Sequence, residues 1–155
     1  MARSPSELGV VLLDRQRRRR VRPDRVRRVL RAAARDLGVS GELAVVLAGD
    51  RTLRSLNARY RGKDKPTDVL SFPGPGGEAG LGDVVISLDT AERNARALGR
   101  TLPQEVDVLA LHGFLHVLGY DHETDDGTMD RLESRLRRKL LGVAQERSPG
   151  QERRA

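Results

Sequence analysis

At 155 residues the chain is long enough for one domain with a real core and too short for two comfortable ones. Its 37% hydrophobic and 33% charged residues suit a soluble globular domain and exclude a disordered chain. Apolar runs such as "GVVLL" and "LAVVLA" are far too short to span a bilayer. Lys and Arg number 29 against 22 acids, a net charge of +7 that points to a polyanionic partner, while the absence of cysteine excludes disulfides and thiolate-bound zinc or iron–sulfur sites.

In chain order, "GVVLL" (9–13) reads as a strand and the arginine-dense stretch 15–31 begins as a loop. Residues 24–37 read as a helix with Asp24 as N-cap and Val26, Val29, Leu30, Ala33 and Leu37 at helical spacing, stopped by Gly38. "ELAVVLA" (42–48) is a strand, and Asp50 is expected to cap a helix running to about Tyr60. "TDVLSF" (67–72) is a strand, "PGPGGEAGLG" (73–82) the strongest breaker in the chain, "DVVIS" (83–87) a strand and 89–98 a helix. Thr101 and Gln104 form a capping box before a helix over 102–118 that is apolar on most sides and therefore central and buried. A last helix is expected from Asp125 or Asp126, with the stripe Met129, Leu132, Leu136 and Leu140 and its end at Gly142. The expected fold is α+β: a single domain over 1–142, a small mixed sheet of about four strands flanked by four to five helices, and a disordered tail over 143–155.

All three histidines, His112, His116 and His122, fall in "LHGFLHVLGYDHETDD". On a helix, positions 112 and 116 share one face, so two imidazoles can grip one ion. Gly119 can take the left-handed conformation that ends a helix and turns His122 back towards that ion. Three nitrogen ligands without an obvious fourth match a catalytic zinc site with an open position, one zinc per chain. One histidine alone on a helix is more often a packed core residue; three with a hinge between them point to metal. The spacing is that of the metzincin proteases, but Gly113 stands where their general-base glutamate would be, which removes the main warrant for peptide hydrolysis.

"HGFLHVLGYDH" (112–122), "NARYRGKDKPTDVLSFP" (57–73) and "LGDVVIS" (81–87) together resemble the YbeY family of bacterial endoribonucleases, in the family's order and spacing. The resemblance covers most of 42–125 and leaves out the arginine tract and the tail. It implies a metal-dependent endoribonuclease of single-stranded RNA, acting in 16S rRNA 3′-end maturation and ribosome quality control in the cytoplasm, with zinc as the ion. The partners it implies are rRNA and ribosomal subunits, with ribosomal proteins or assembly GTPases as further classes; neither DNA nor membrane is expected.

The resemblance also singles out Arg61 as an arginine of the cleft, beside His112 in catalysis. A guanidinium can hold two phosphate oxygens and offset charge developing at phosphorus. Arg59, Arg61, Lys63 and Lys65 alternate with other residues before a strand and are expected to bind substrate phosphates; the bland alternative is a solvated basic loop. Asp121 can orient a ligand imidazole. Glu123, Asp125 and Asp126 serve equally well as helix caps. For the general base, Asp121, Asp68 and a second water stay open. Tyr60, Phe72, Phe114 and Tyr120 are too few aromatics for a base-stacking platform. Two rival readings remain: a metzincin-like peptidase, which needs a glutamate near the site, and a non-catalytic assembly factor whose zinc is structural, which needs a fourth ligand.

Overall fold

The computed structural model describes residues 7–76, 79–121 and 126–142. Four strands, β1 (Leu8–Asp14), β2 (Gly41–Ala48), β3 (Val69–Pro73) and β4 (Gly82–Ser87), form one sheet in the order β1-β2-β4-β3. β1, β2 and β4 run parallel, and β3 pairs antiparallel with β4, Val69 opposite Ile86 and Pro73 opposite Gly82. The helices are α1 (Pro23–Leu37), α2 (Asp50–Arg61), α3 (Leu88–Leu98), α4 (Leu102–Val117) and α5 (Thr128–Leu136), the last continued by a π-helical turn over Arg137–Leu141. The expected α+β class and small mixed sheet are what the chain forms. Among the described residues no helix is long and apolar enough to cross a membrane.

Strand alternation decides which face is buried against what. Leu43, Val45 and Leu47 of β2 point into the main core with Val84, Ile86 and Val69, under α1 and α4. Leu70 and Val85 point the other way and meet Leu53 of α2. α4 is enclosed almost throughout, as its all-round apolar sequence predicts. Its start is the expected capping box: Gln104 N donates to Thr101 Oγ1 (3.2 Å) and Thr101 N to Gln104 Oε1 (2.9 Å).

Several local expectations are corrected. Asp24 is not the N-cap of α1; Arg22 holds that place, Pro23 begins the helix and Asp24 sits in the first turn. Gly49 rather than Asp50 is the N-cap of α2. Asp50 instead accepts from Ser87 Oγ (2.7 Å), Thr90 Oγ1 (2.5 Å) and Arg93 Nη2 (2.7 Å), tying α2 to the start of α3. β3 begins at Val69, later than the apolar pattern suggests. α5 starts at Thr128, not at Asp125 or Asp126, and Gly142 ends the π-helical turn with a positive φ of 63°. The expected disorder of 143–155 concerns residues outside those described.

Candidate metal centre and basic pocket

His112 is fully buried on α4, and His116, one turn on, is half-buried. Their Nε2 atoms lie 3.1 Å apart and their rings cross at 66°. Two nitrogens bonded to one tetrahedral zinc at 2.0–2.1 Å stand roughly 3.3 Å apart, so the pair fits a shared ion. The helix ends where the sequence predicts a reversal: Gly119 has φ 100°, its N–H donates to the His116 carbonyl (3.0 Å), and Tyr120 N donates to the Leu115 carbonyl (3.1 Å). His122, the third expected ligand, lies outside the described residues, as do Glu123 and Asp125. Among the described residues no group of three or more His, Asp or Glu side chains is arranged to hold a metal ion. Asp121 is half-buried in the turn after α4.

The carboxylate that orients His112 comes from elsewhere. Glu133 of α5 places Oε1 2.6 Å from His112 Nδ1, and Arg137 Nη2 donates to the other oxygen, Oε2. Burial would push the Glu133 carboxyl up; the hydrogen bond and charge of His112, with those of Arg137, outweigh it and hold the group at about 2. A carboxylate accepting from Nδ1–H leaves the Nε2 lone pair of His112 facing His116. Sequence reading missed Glu133 and Arg137. The signal was present: both fall among Met129, Leu132, Leu136 and Leu140 on the apolar stripe of α5, where a charged residue needs a buried partner.

Gly113 has a geometric reason. A Cβ there would lie 2.5 Å from Val84 Cγ1 and 3.2 Å from both Ser71 Oγ and Val69 Cγ2. Position 113 faces the sheet, and Ser71 Oγ donates to its carbonyl at 2.9 Å. A protease-type glutamate has no room here.

The cations of "YRGKDKP" collect in a second place. Arg61, Lys63 and Lys65 line a pocket of about 220 Å³ together with Asn57, Asp68, Thr90 and Arg93. Gly62, with φ 68°, ends α2, and Asn57 Nδ2 donates to the Lys65 carbonyl (2.9 Å), which fixes the loop. Asp68, one of the general-base candidates, is fully buried and accepts from Asn94 Nδ2 at 3.3 Å. Arg59 is exposed and lies outside this lining, its guanidinium 5.9 Å from the Tyr60 ring, which in turn meets Phe72 edge-on. No described histidine lines the pocket. It borders Thr90, just past the end of β4, whereas Val117, beside His116 in sequence, packs at Gly82 where β4 begins. The structure thus brings His112 and His116 together in one place and Arg61, Lys63 and Lys65 together in another, with Arg59 outside both.

The arginine tract is partly structural. Arg19 pairs with Asp89 (2.6 Å) and Glu92 (3.1 Å), and Arg25 with Asp107 (2.8 Å). Arg27 and Arg31 donate through Nε to the carbonyls of Val10 (3.1 Å) and Leu8 (3.0 Å). Arg15, Arg17, Arg18 and Arg20 are exposed.

Residues 13–141 match the family model described as endoribonuclease YbeY. The endoribonuclease YbeY of Aquifex aeolicus is 51% identical over 116 residues, covering 72% of this chain and 77% of the relative. That of Moorella thermoacetica is 46% identical over 130 residues, covering 75% and 83%. The solution structure of TM1509 from Thermotoga maritima shares the fold, with a TM-score of 0.60 at 24% identity over 91% of this chain and 98% of that one. A family match over most of the chain and relatives at about half identity, on a fold that carries the paired histidines, make this chain a member of the endoribonuclease YbeY family.

Proposed function

We propose that this endoribonuclease-family chain cleaves single-stranded RNA with one zinc ion held by His112, His116 and His122. The observation that carries the reading is the 3.1 Å approach of two Nε2 atoms, one of them on an imidazole fixed from behind by a carboxylate. A divalent ion bound there supplies Lewis acidity towards a phosphate oxygen and lowers the pKa of a coordinated water. The chain's own residues do the rest. Glu133 keeps His112 in the tautomer that presents Nε2. Arg61, Lys63 and Lys65 hold RNA phosphates along the backbone, with Arg59 beside them, and the net charge of +7 draws the strand in. Asp121, between His116 and His122 in the chain, is one carboxylate candidate for general base; Asp68, the other, belongs to the basic pocket. The resemblance of the histidine and "RGKDKPTDVLSFP" segments supports 16S rRNA 3′-end maturation in the cytoplasm as the physiological setting, with ribosomal subunits as partners.

A peptidase needs a glutamate free to work on water. Glu133 is near the histidines but both its oxygens are engaged, by His112 and Arg137. Elemental analysis is expected to find about one zinc per chain, lost in His116→Ala. The zinc-loaded protein is expected to cut single-stranded RNA and leave casein intact. Absence of stoichiometric metal, or proteolysis dependent on His112 without RNA cleavage, overturns the reading.

A further inference from the structure

We infer that Glu133 and Arg137 form a positioning pair for the metal centre, Arg137 holding the Glu133 carboxylate so that Glu133 holds His112 with Nε2 turned to the ion. The inference rests on the metal reading above and adds a buried relay from α5 to α4. Its three members are His112, Glu133 and Arg137, 0%, 3% and 1% exposed. The contacts run in one line: Arg137 Nη2 to Glu133 Oε2, then Glu133 Oε1 to His112 Nδ1 at 2.6 Å, then His112 Nε2 to His116 Nε2 at 3.1 Å.

Stability alone does not account for such a pair. Positions 133 and 137 lie on the apolar stripe of α5 and its π-helical continuation, where Leu or Met would pack without desolvating two charges. Replacing a buried ion pair by apolar residues is often neutral or stabilising. What apolar residues cannot do is select a tautomer. Both carboxylate oxygens are used, so the group cannot rotate away from Nδ1 without breaking its bond to Arg137. Arg137 also opens the π-helical turn Arg137–Leu141, a rare geometry that is frequent at functional sites. The segment following α5 is thereby tied to the orientation of a metal-ligand ring on a different helix.

Zinc affinity is measured by competition with a chromophoric chelator, well below the melting temperature, for the parent and for Glu133→Gln, Arg137→Met and Arg137→Lys. Glu133→Gln is expected to weaken zinc binding by about tenfold to a hundredfold and Arg137→Met by about tenfold, with Arg137→Lys restoring most of the loss. In parallel, nitrogen-15 spectra of the metal-free parent at mildly alkaline pH are expected to show His112 protonated on Nδ1 and bare on Nε2, with the population shifting in Glu133→Gln. A merely structural pair would lower melting temperatures without moving either readout. Zinc affinities within about twofold of the parent in both Glu133→Gln and Arg137→Met overturn the inference. So does a parent His112 found protonated on Nε2, a result that needs no variant to fold. A parent that binds no zinc overturns the proposed function instead, and the tautomer measurement then still decides whether the pair positions His112.

Discussion

The histidine stretch and the arginine stretch are both dense clusters of one residue type, yet the fold treats them in opposite ways. His112 and His116 are four apart on one rigid, buried helix, so neighbours in sequence become neighbours in space with their nitrogens converging. The arginines of 15–31 span a loop and an amphipathic helix, and long side chains from those elements diverge. Arg19 turns to α3, Arg25 to α4, and Arg27 and Arg31 to the backbone of β1. Clustering on a rigid element with one face is evidence of a site. Clustering of flexible cations is evidence of a site only after their internal partners are subtracted.

The sharpest way to break the histidine side of this contrast is to disturb the face that holds it. Gly113→Ala puts a Cβ 2.5 Å from a methyl of Val84, a stiff side chain in the core of the sheet. Helix propensity favours Ala by about 1 kcal/mol, but overpacking costs about 1–3 kcal/mol, so the clash wins. The variant should melt earlier and hold zinc less tightly, and Gly113→Glu should be worse on both counts. An unaltered melting temperature in Gly113→Ala would show that α4 is free to slide on the sheet.

A smaller effect is expected from the basic pocket. Arg61→Ala should leave fold and zinc content intact and reduce kcat/KM for RNA by about tenfold or more, the worth of one charged hydrogen bond. The pocket lining lacks the described histidines, so the loss should fall in KM. Steady-state kinetics showing it in kcat instead would put the guanidinium at the reacting phosphate, where the family resemblance suggests it.

What was legible in the sequence follows from range. The strands β1, β2 and β4, the capping box at Thr101, the buried α4 and the turn at Gly119 are local patterns and form close to where expected, while β3 starts two residues late. Two of the misread ends were those where a cap was assigned by residue type: Asp24 and Asp50 are good N-cap residues, but Pro23 fixes the start of α1, and Asp50 is drawn off to Ser87, Thr90 and Arg93. Glu133 was missed because its importance depends on a partner 21 residues away along the chain, which periodicity does not report. The carboxylate that reaches the His112 ring comes from α5, a helix that the sequence places after the histidine stretch and outside its motif.

The arginine side of the contrast separates into two sets. Arg27 and Arg31 occupy carbonyls of β1, which among the described residues has a neighbouring strand on one side only. Replacing both by Ala should cost about 1–2 kcal/mol in denaturant unfolding and promote association through the uncovered edge, with little change in RNA affinity. Arg17, Arg18 and Arg20 are exposed. Replacing these three by Gln should leave stability alone and flatten the slope of log affinity against log salt by roughly 0.7 for each phosphate that is no longer neutralised. An unaltered slope would remove these three arginines from the RNA path.

The smallest effect tests the pairing of Arg25 with Asp107, where the tract meets α4. Asp107 is 3% exposed, and its Oδ1 is buried without a hydrogen bond. Burial raises its pKa, and Arg25 and Arg28 recover only part of that shift. A carboxyl with a raised pKa in the folded state contributes stability below its unfolded pKa, and that contribution is lost as pH rises through the folded value. At neutral pH the carboxylate is therefore a net cost in spite of its salt bridge. Asp107→Asn removes the charge and should raise the melting temperature by a small amount, on the order of 1 °C, at neutral pH. The difference between variant and parent should shrink as pH falls into the acid range, where the parent's carboxyl is protonated as well. Melting curves in which Asp107→Asn is less stable at neutral pH and catches up only in acid would reverse the sign, making the Arg25 bridge worth more than the desolvation it requires.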